Sequence, residues 1–296
     1  MSVINLISLT QKYESETPFA IAKHSTIGCG GSARAAFYPR TAEETEQLIS
    51  EIQRLQIPYY VVGNMSNVLP ADGCSRRVFI VTKQMKRIYE TPEKNGLYVE
   101  AGASAGALLN ECKRVGLSGA EFLEGIPCTL GGALYMNAGV SGAYIGDIVQ
   151  SITVLREGRI LSLSQAECQY SYKNSVFMEN QDVLLGVRLC LHKATEEEIF
   201  RKREEYSQRR KHLPKGKSMG CVFKNPPNEM AGKLIEGTGL KGFRVGGAVI
   251  SQQHANFILN DNEAKSAHVK ALIKIVKNAV FAQYKIQLEE EIRYLE

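Results

Sequence analysis

The sequence lacks most features that would assign a function at once, and each absence removes a class. No run approaches the ~20 consecutive apolar residues of a membrane-spanning helix, so no span is expected. The opening residues Met1-Ser2-Val3-Ile4-Asn5 have neither the basic nor the apolar region of a secretory signal. The seven cysteines are odd in number and none stands in a CxxC pair, which argues against a disulfide framework and against a zinc site. A reducing cytoplasm fits best. No Ser-His-Asp order, Walker loop or metal-ligand cluster is present. The scattered His24, His192, His212, His254 and His268 read as structural. A net charge of +5 suits anionic small ligands and is too weak to argue for nucleic acid. Internal repeats and low-complexity tracts are absent. What remains is a 296-residue chain of ordinary globular composition, long enough for two or three domains.

What is present centres on Gly125-Ile126-Pro127-Cys128-Thr129-Leu130-Gly131-Gly132-Ala133-Leu134-Tyr135-Met136-Asn137-Ala138-Gly139. This stretch has neither helical nor strand periodicity. Its glycines permit positive φ and close approach of a ligand, and its amides can be aimed at phosphate oxygens. The plainer reading is a tight turn against a strand; Asn137 and Gly139 in the same loop favour the ligand. A second loop, Gly63-Asn64-Met65-Ser66-Asn67, follows the strand-like Tyr59-Tyr60-Val61-Val62, at the strand end where nucleotide phosphates often sit. It is not GxGxxG, so it does not specify a Rossmann fold. A third glycine-rich turn spans 26–34.

Around these loops the elements alternate. An N-terminal helix is expected within 1–25. Thr41 and Glu44 form a capping box ahead of a helix with Leu48, Ile49, Ile52 and Leu55 on one face. Several strands follow over 78–103, and Ser104 caps a helix that ends at Gly116. Glu157-Gly158 joins a hairpin. Val183 to Leu191 reads as an alternating strand with Leu185, Val187, Leu189 and Leu191 on one face. Thr195 and Glu198 cap a highly charged helix, read as a solvated link between domains. The stretch 215–227 reads as an irregular loop, 230–236 as a short helix and 257–259 as a strand. Ser266 reads as the cap of a helix with Val269, Leu272, Ile273, Val276 and Val280 inward. Residues 286–294 read as a final alternating strand with Glu289 and Glu291 on one face.

Taken together, the motifs resemble one family. Residues 25–31 are similar to its N-T-x-x-x-G-G, 63–69 to G-x-G-S-N-L-L, and 125–139 to G-I-P-G-x-x-G-G-A-x-x-M-N-A-G. Tyr172-Lys173-Asn174-Ser175 resembles Y-R-x-S, and Gly220 to Pro226 resembles G-S-x-F-K-N-P. Residues 231–235 and 239–242 match A-G-x-L-I and G-L-K-G; 254–258 match H-A-N-F-I, and the last strand matches L-E-x-E-V-R. The family is UDP-N-acetylenolpyruvoylglucosamine reductase (MurB), and the resemblance runs from about residue 20 to residue 294. It implies an α+β fold, with an FAD-binding fold of the vanillyl-alcohol oxidase type followed by a separate α+β substrate-binding domain. The expected limits are 1–81 and 82–194 for two FAD-binding subdomains and 195–296 for the substrate domain. The chain has little unassigned sequence to hold the tyrosine-bearing insertion of some members, which implies the shorter form.

The resemblance further implies non-covalent FAD, NADPH as co-substrate and a UDP-sugar as substrate, in peptidoglycan precursor synthesis. Reduction beside a carboxylate builds enolate-like charge, so such a site needs a proton donor and electrostatic stabilisation. Carried over by position, these are Cys221 where the family has Ser, Lys173 where it has Arg, and Glu291. A thiol, with a reference pKa of ~8.5, is protonated at neutral pH and donates more readily than an alcohol. Lysine keeps the charge of arginine and loses its planar fork. FAD would be held by Gly63, Asn64, Met65, Ser66, Asn67, Gly125, Ile126, Pro127, Cys128, Thr129, Gly131, Gly132, Asn137, Ala138 and Gly139. Met65 and Cys128 stand where the family has Gly. Tyr172, Lys224, Asn225 and Lys233 would bind substrate, and no metal is implied. Two alternatives stay open: another flavoenzyme of this fold, and a non-catalytic nucleotide-sugar-binding paralogue.

Overall fold

The computed structural model describes residues 3–296, with side chains from residue 6. The chain forms two compact units. One contains the segment up to Glu16 with Ala35–Asn64 and Val78–Lys211; the other contains Thr17–Arg34, Met65–Arg77 and His212–Glu296. Among the described residues no helix is long and apolar enough to cross a membrane.

Two larger sheets, beside two short two-stranded pairs, build the first unit. Ser15–Glu16, Ala36–Phe37, Val78–Val81 and Tyr59–Val62 form one, and all but its first pairing are parallel. The second is antiparallel, in the order Arg159–Ser164, Val149–Arg156, Val183–Cys190, Gly96–Glu100, Ile88–Glu90. Its hairpin turns on Glu157 (φ 50°) and Gly158 (φ 73°). Two successive positive φ values are what a two-residue turn matched to strand twist requires.

The strand Val183–Cys190 departs from the alternating expectation, because Val183, Leu184, Leu185, Gly186 and Val187 are all buried. Val183 and Leu185 join one core with Leu48, Ile49 and Ile52 of the helix Ala42–Arg54. Leu184, Val187 and Leu189 join another with Leu108 and Leu109 of Ala105–Val115 and with Leu130 and Leu134 of Leu130–Tyr135. A strand covered on both faces has no polar face to reveal its period. Each such buried aliphatic side chain contributes roughly 1.5–3 kcal/mol.

Of the helix ends expected from local chemistry, two differ. Ser104 accepts from the Ala107 N–H at 3.1 Å, and Gly116 closes that helix in the left-handed region at φ 65°. Thr195 and Glu198 form the expected reciprocal box. Thr41 accepts from the Glu44 N–H, but the Glu44 carboxylate takes the N–H of Arg40, one residue earlier than a capping box requires. The charged helix Glu196–Arg210 buries Ile199, and Arg203 is paired with Glu124 at 2.6 Å. It is therefore packed within the first unit, not a free-standing solvated link.

In the second unit, Ser218–Cys221, Phe257–Asn260, Ala248–Ile250 and Arg244–Val245 form an antiparallel sheet. The stretch expected to be irregular over 215–227 thus contains a strand. The helix Ser266–Tyr284 shares a core with that sheet through Val269, Leu272, Ile273, Val276 and Val280. Ser266 is not its cap. The Ser266 hydroxyl donates to the carbonyl of Pro70, and Asp72 takes the first N–H groups, from Ser266 at 2.6 Å and Ala267 at 2.9 Å. A carboxylate there also meets the positive end of the helix dipole. At the C-terminus only Arg293–Leu295 is a strand, parallel to Val68–Pro70.

Candidate active site

In the first unit the two glycine loops meet. The Asn64 carboxamide donates to the Pro127 carbonyl at 2.8 Å, tying 63–64 to 125–129. Gly63 is obligatory in this approach: a Cβ there would lie 2.0 Å from the Thr129 hydroxyl oxygen. Thr129 faces Gly132, accepting its N–H at 3.4 Å to start the helix Leu130–Tyr135. Gly131 brings that helix onto the sheet, with its N–H 2.7 Å from the Ala101 carbonyl. The loops border a cleft of about 440 Å³, to which Lys83, Lys86, Gly102, Ser104, Gly106 and Ala107 also contribute. Cys128 lines it, its thiol pushed up to about 12 by burial and thus held neutral.

At the far end of the glycine stretch, Asn137 (φ 44°) is buried. Its carboxamide accepts from the Gly146 N–H and donates to the Ser171 carbonyl. The tight turn of residues 171–174 carries Tyr172, which is exposed and meets Tyr144 edge-on, and Lys173, whose φ is 52°.

The second unit holds the other expected residues. Met65 sits at φ 48° with a buried side chain, so it keeps a backbone conformation that glycine adopts more readily. The Asn67 carboxamide donates to the Glu291 carbonyl at 3.1 Å, and the Asn67 carbonyl accepts from Arg293. Gly220 (φ 76°) precedes Cys221, and the Glu291 N–H donates to the carbonyl of Val222 at 2.8 Å. Cys221 and Glu291, 70 residues apart by numbering, are thereby brought onto adjoining backbone. Both are half-buried. Asn256 holds this loop: its carboxamide accepts from the Phe223 N–H at 2.9 Å and donates to the Phe223 carbonyl at 2.8 Å. Lys224 is ion-paired with Glu289 at 2.5 Å, Asn225 accepts from the Ala231 N–H at the start of Ala231–Gly237, and Lys233 is exposed on that helix. His254 accepts from the Asn256 N–H through Nδ1, and burial, reinforced by His212, lowers its pKa. A neutral ring that organises a turn is a structural histidine.

A family model for the UDP-N-acetylenolpyruvoylglucosamine reductase C-terminal domain matches residues 211–295, and an FAD binding domain matches 33–164. The reductase of that name from Clostridioides difficile is 35% identical over 99% of this chain and 97% of its own length. That from Caldicellulosiruptor bescii is 38% identical over 93% and 88%. The chain belongs to the UDP-N-acetylenolpyruvoylglucosamine reductase family. The crystal structure of the Thermus caldophilus member of this family, MurB, superposes with a TM-score of 0.82 at 34% identity, covering 96% of this chain and 99% of that one. The α+β arrangement expected from the sequence, an FAD-binding part followed by a separate C-terminal domain, therefore holds. As a member of this family the protein is a flavin-dependent oxidoreductase.

The residues of the first-unit cleft suit the diphosphate of a dinucleotide such as FAD. The cleft wall is backbone brought close by Gly63, the first turn of Ala105–Val115 opens on it, and Lys83 and Lys86 supply positive charge. The lysines gave no motif to find them by. Asn256 also escaped a role, although its signal was present: one amide inside the otherwise apolar Ala255-Asn256-Phe257-Ile258.

Proposed function

We propose that the protein uses NADPH and FAD to reduce UDP-N-acetylenolpyruvoylglucosamine to UDP-N-acetylmuramate in peptidoglycan precursor synthesis, in the cytoplasm and as the shorter form of the family. The observation that carries this reading is the joining of Cys221 and Glu291 through the Glu291 N–H to the Val222 carbonyl. The first unit would hold the dinucleotide on 63–64, 125–132 and the Asn137–Gly139 backbone, without a covalent link; the second would hold the nucleotide-sugar. Bound FAD supplies the hydride that NADPH brings. Cys221 then gives its proton to the carbon next to the one that receives the hydride, and regains a proton from water. Two electrons and two protons so convert the enolpyruvyl C=C bond to a saturated ether. Lys173 is assigned to the substrate carboxylate and the charge that builds on it, and Glu291 to the same half-reaction. Tyr172, Asn225 and Lys233 contact substrate, and Lys224 trades Glu289 for a substrate anion.

Mixing the yellow protein with NADPH and then with the enolpyruvyl sugar tests this reading. Expected is flavin bleaching by NADPH and recovery of colour at a rate set by sugar concentration, with one sugar reduced per NADPH. Colour recovery that ignores the sugar would point to a different substrate, and sugar binding without recovery to a non-catalytic paralogue.

A further inference from the structure

We propose that Asn137 and Ser175 form a buried clamp that positions Lys173 for sugar reduction, a role that neither motif carries alone. The inference rests on the function proposed for Lys173. The turn of residues 171–174 closes on itself through reciprocal Ser171–Asn174 backbone bonds of 3.2 Å, which fix its shape and not its place. Its place is set at both ends by one short stretch. The Asn137 carboxamide donates to the Ser171 carbonyl at 2.8 Å, and the Ser175 hydroxyl donates to the Tyr135 carbonyl at 2.7 Å. Asn137 is 4% exposed and Ser175 0%.

The carboxamide has one workable orientation. Its oxygen takes the Gly146 N–H at 3.0 Å while its nitrogen serves a carbonyl, so a flip would set donor against donor and acceptor against acceptor. Gly146 leaves room for this contact and no more: a Cβ there would lie 2.7 Å from the Tyr170 ring and 3.0 Å from the Asn137 oxygen. The same carboxamide thus joins the Lys173 turn to the segment beyond Tyr144, whose ring meets Tyr172. Residues 135 and 137 close the glycine stretch that starts at the cleft. The backbone that would hold the dinucleotide and the turn that would bear the cation are therefore joined directly through buried hydrogen bonds, and both side chains of the clamp are positioning residues.

Rapid mixing and hydrogen exchange on the full-length holoprotein test this. Ser175→Ala removes one arm with little change of volume; Asn137→Asp keeps the acceptor and removes the amide donor. In both, amide exchange should rise in 171–175 and stay at wild-type levels in the strand Val183–Cys190. In Ser175→Ala flavin reduction by NADPH should remain within about twofold, and in both variants reoxidation by the sugar should slow about tenfold or more, toward the ~10²-fold that a misplacement near 1 Å can cost. In a Lys173→Met background, Ser175→Ala should add less than about twofold, because coupled residues are not additive. Unchanged exchange in 171–175, or full additivity with Lys173→Met, would overturn the clamp. Wild-type reoxidation in Lys173→Met alone would overturn it differently, by removing the role on which it rests.

Discussion

The two units shape their loops by opposite means. In the first, the cleft exists because side chains are missing: Gly63 passes Thr129 with no room for a methyl group, and Gly131 lies against Ala101. In the second, the loop around Cys221 is held by a side chain that imitates backbone, since Asn256 meets both the N–H and the C=O of Phe223 as a neighbouring strand would. A site shaped by absence fails when atoms are added. One held by a carboxamide fails when atoms are removed, and the buried groups left behind then lack partners.

The largest effect should come from the chemistry that the second unit presents. Cys221→Ala should slow flavin reoxidation by the sugar ~10²–10⁴-fold, the usual worth of a general acid, while FAD content and flavin reduction by NADPH stay near wild type. Cys221→Ser should restore much of the rate. An alanine variant with wild-type reoxidation would remove the thiol from the mechanism. Glu291→Gln should follow the same pattern more weakly; equal loss in both half-reactions would assign it to folding.

Adding a methyl group in the first unit should give the converse result. Gly63→Ala puts Cβ 2.0 Å from the Thr129 hydroxyl oxygen, and overpacking of that kind costs about 1–3 kcal/mol. FAD retention should fall about tenfold or more, read by flavin fluorescence on dilution. Asn256→Ala should instead keep FAD and lose about 1–3 kcal/mol of stability for each unpaired buried group, with exchange rising over 221–225. Gly63→Ala with undiminished FAD affinity would undo the contrast between the units.

What could be read from the sequence divides along similar lines. Glycine loops, caps and the Glu157-Gly158 turn carry their physics in adjacent residues, so their places were legible. The strand Ser218–Cys221 was not, because Ser-Met-Gly-Cys has little strand character and is made a strand by pairing with Phe257–Asn260. Asp72 as the cap of Ser266–Tyr284 was equally hidden: its partner lies 194 residues away, while Ser266 stands where a local cap would be expected. The candidate chemistry was legible as residues, through the resemblance. The supports of that chemistry, Asn256 on Phe223 and Ser175 on Tyr135, are long-range bonds with no local signature.

The smallest expected difference between the units concerns alkali. Burial pushes the thiols of Cys112, Cys128 and Cys168 up, to about 12, 12 and 11, and all three lie in the first unit. In the second, Cys29 is raised to about 11, by burial first and then by Asp72. An unfolded chain releases such protons near the ordinary thiol value of ~8.5, and the folded chain retains them. Below that value the groups leave stability unchanged with pH. Above it the unfolded state binds fewer protons, so stability falls as pH rises toward the folded values. Between pH 8 and 10 these three thiols should make the first unit lose protection faster than the pair Cys29 and Asp72 does the second. Peptide-resolved hydrogen exchange corrected for intrinsic rate should show it in Val183–Cys190 before Phe257–Asn260. Cys168→Ala should flatten the slope in the first unit only. Equal slopes in the two units, or an unaltered slope in that variant, would refute the assignment.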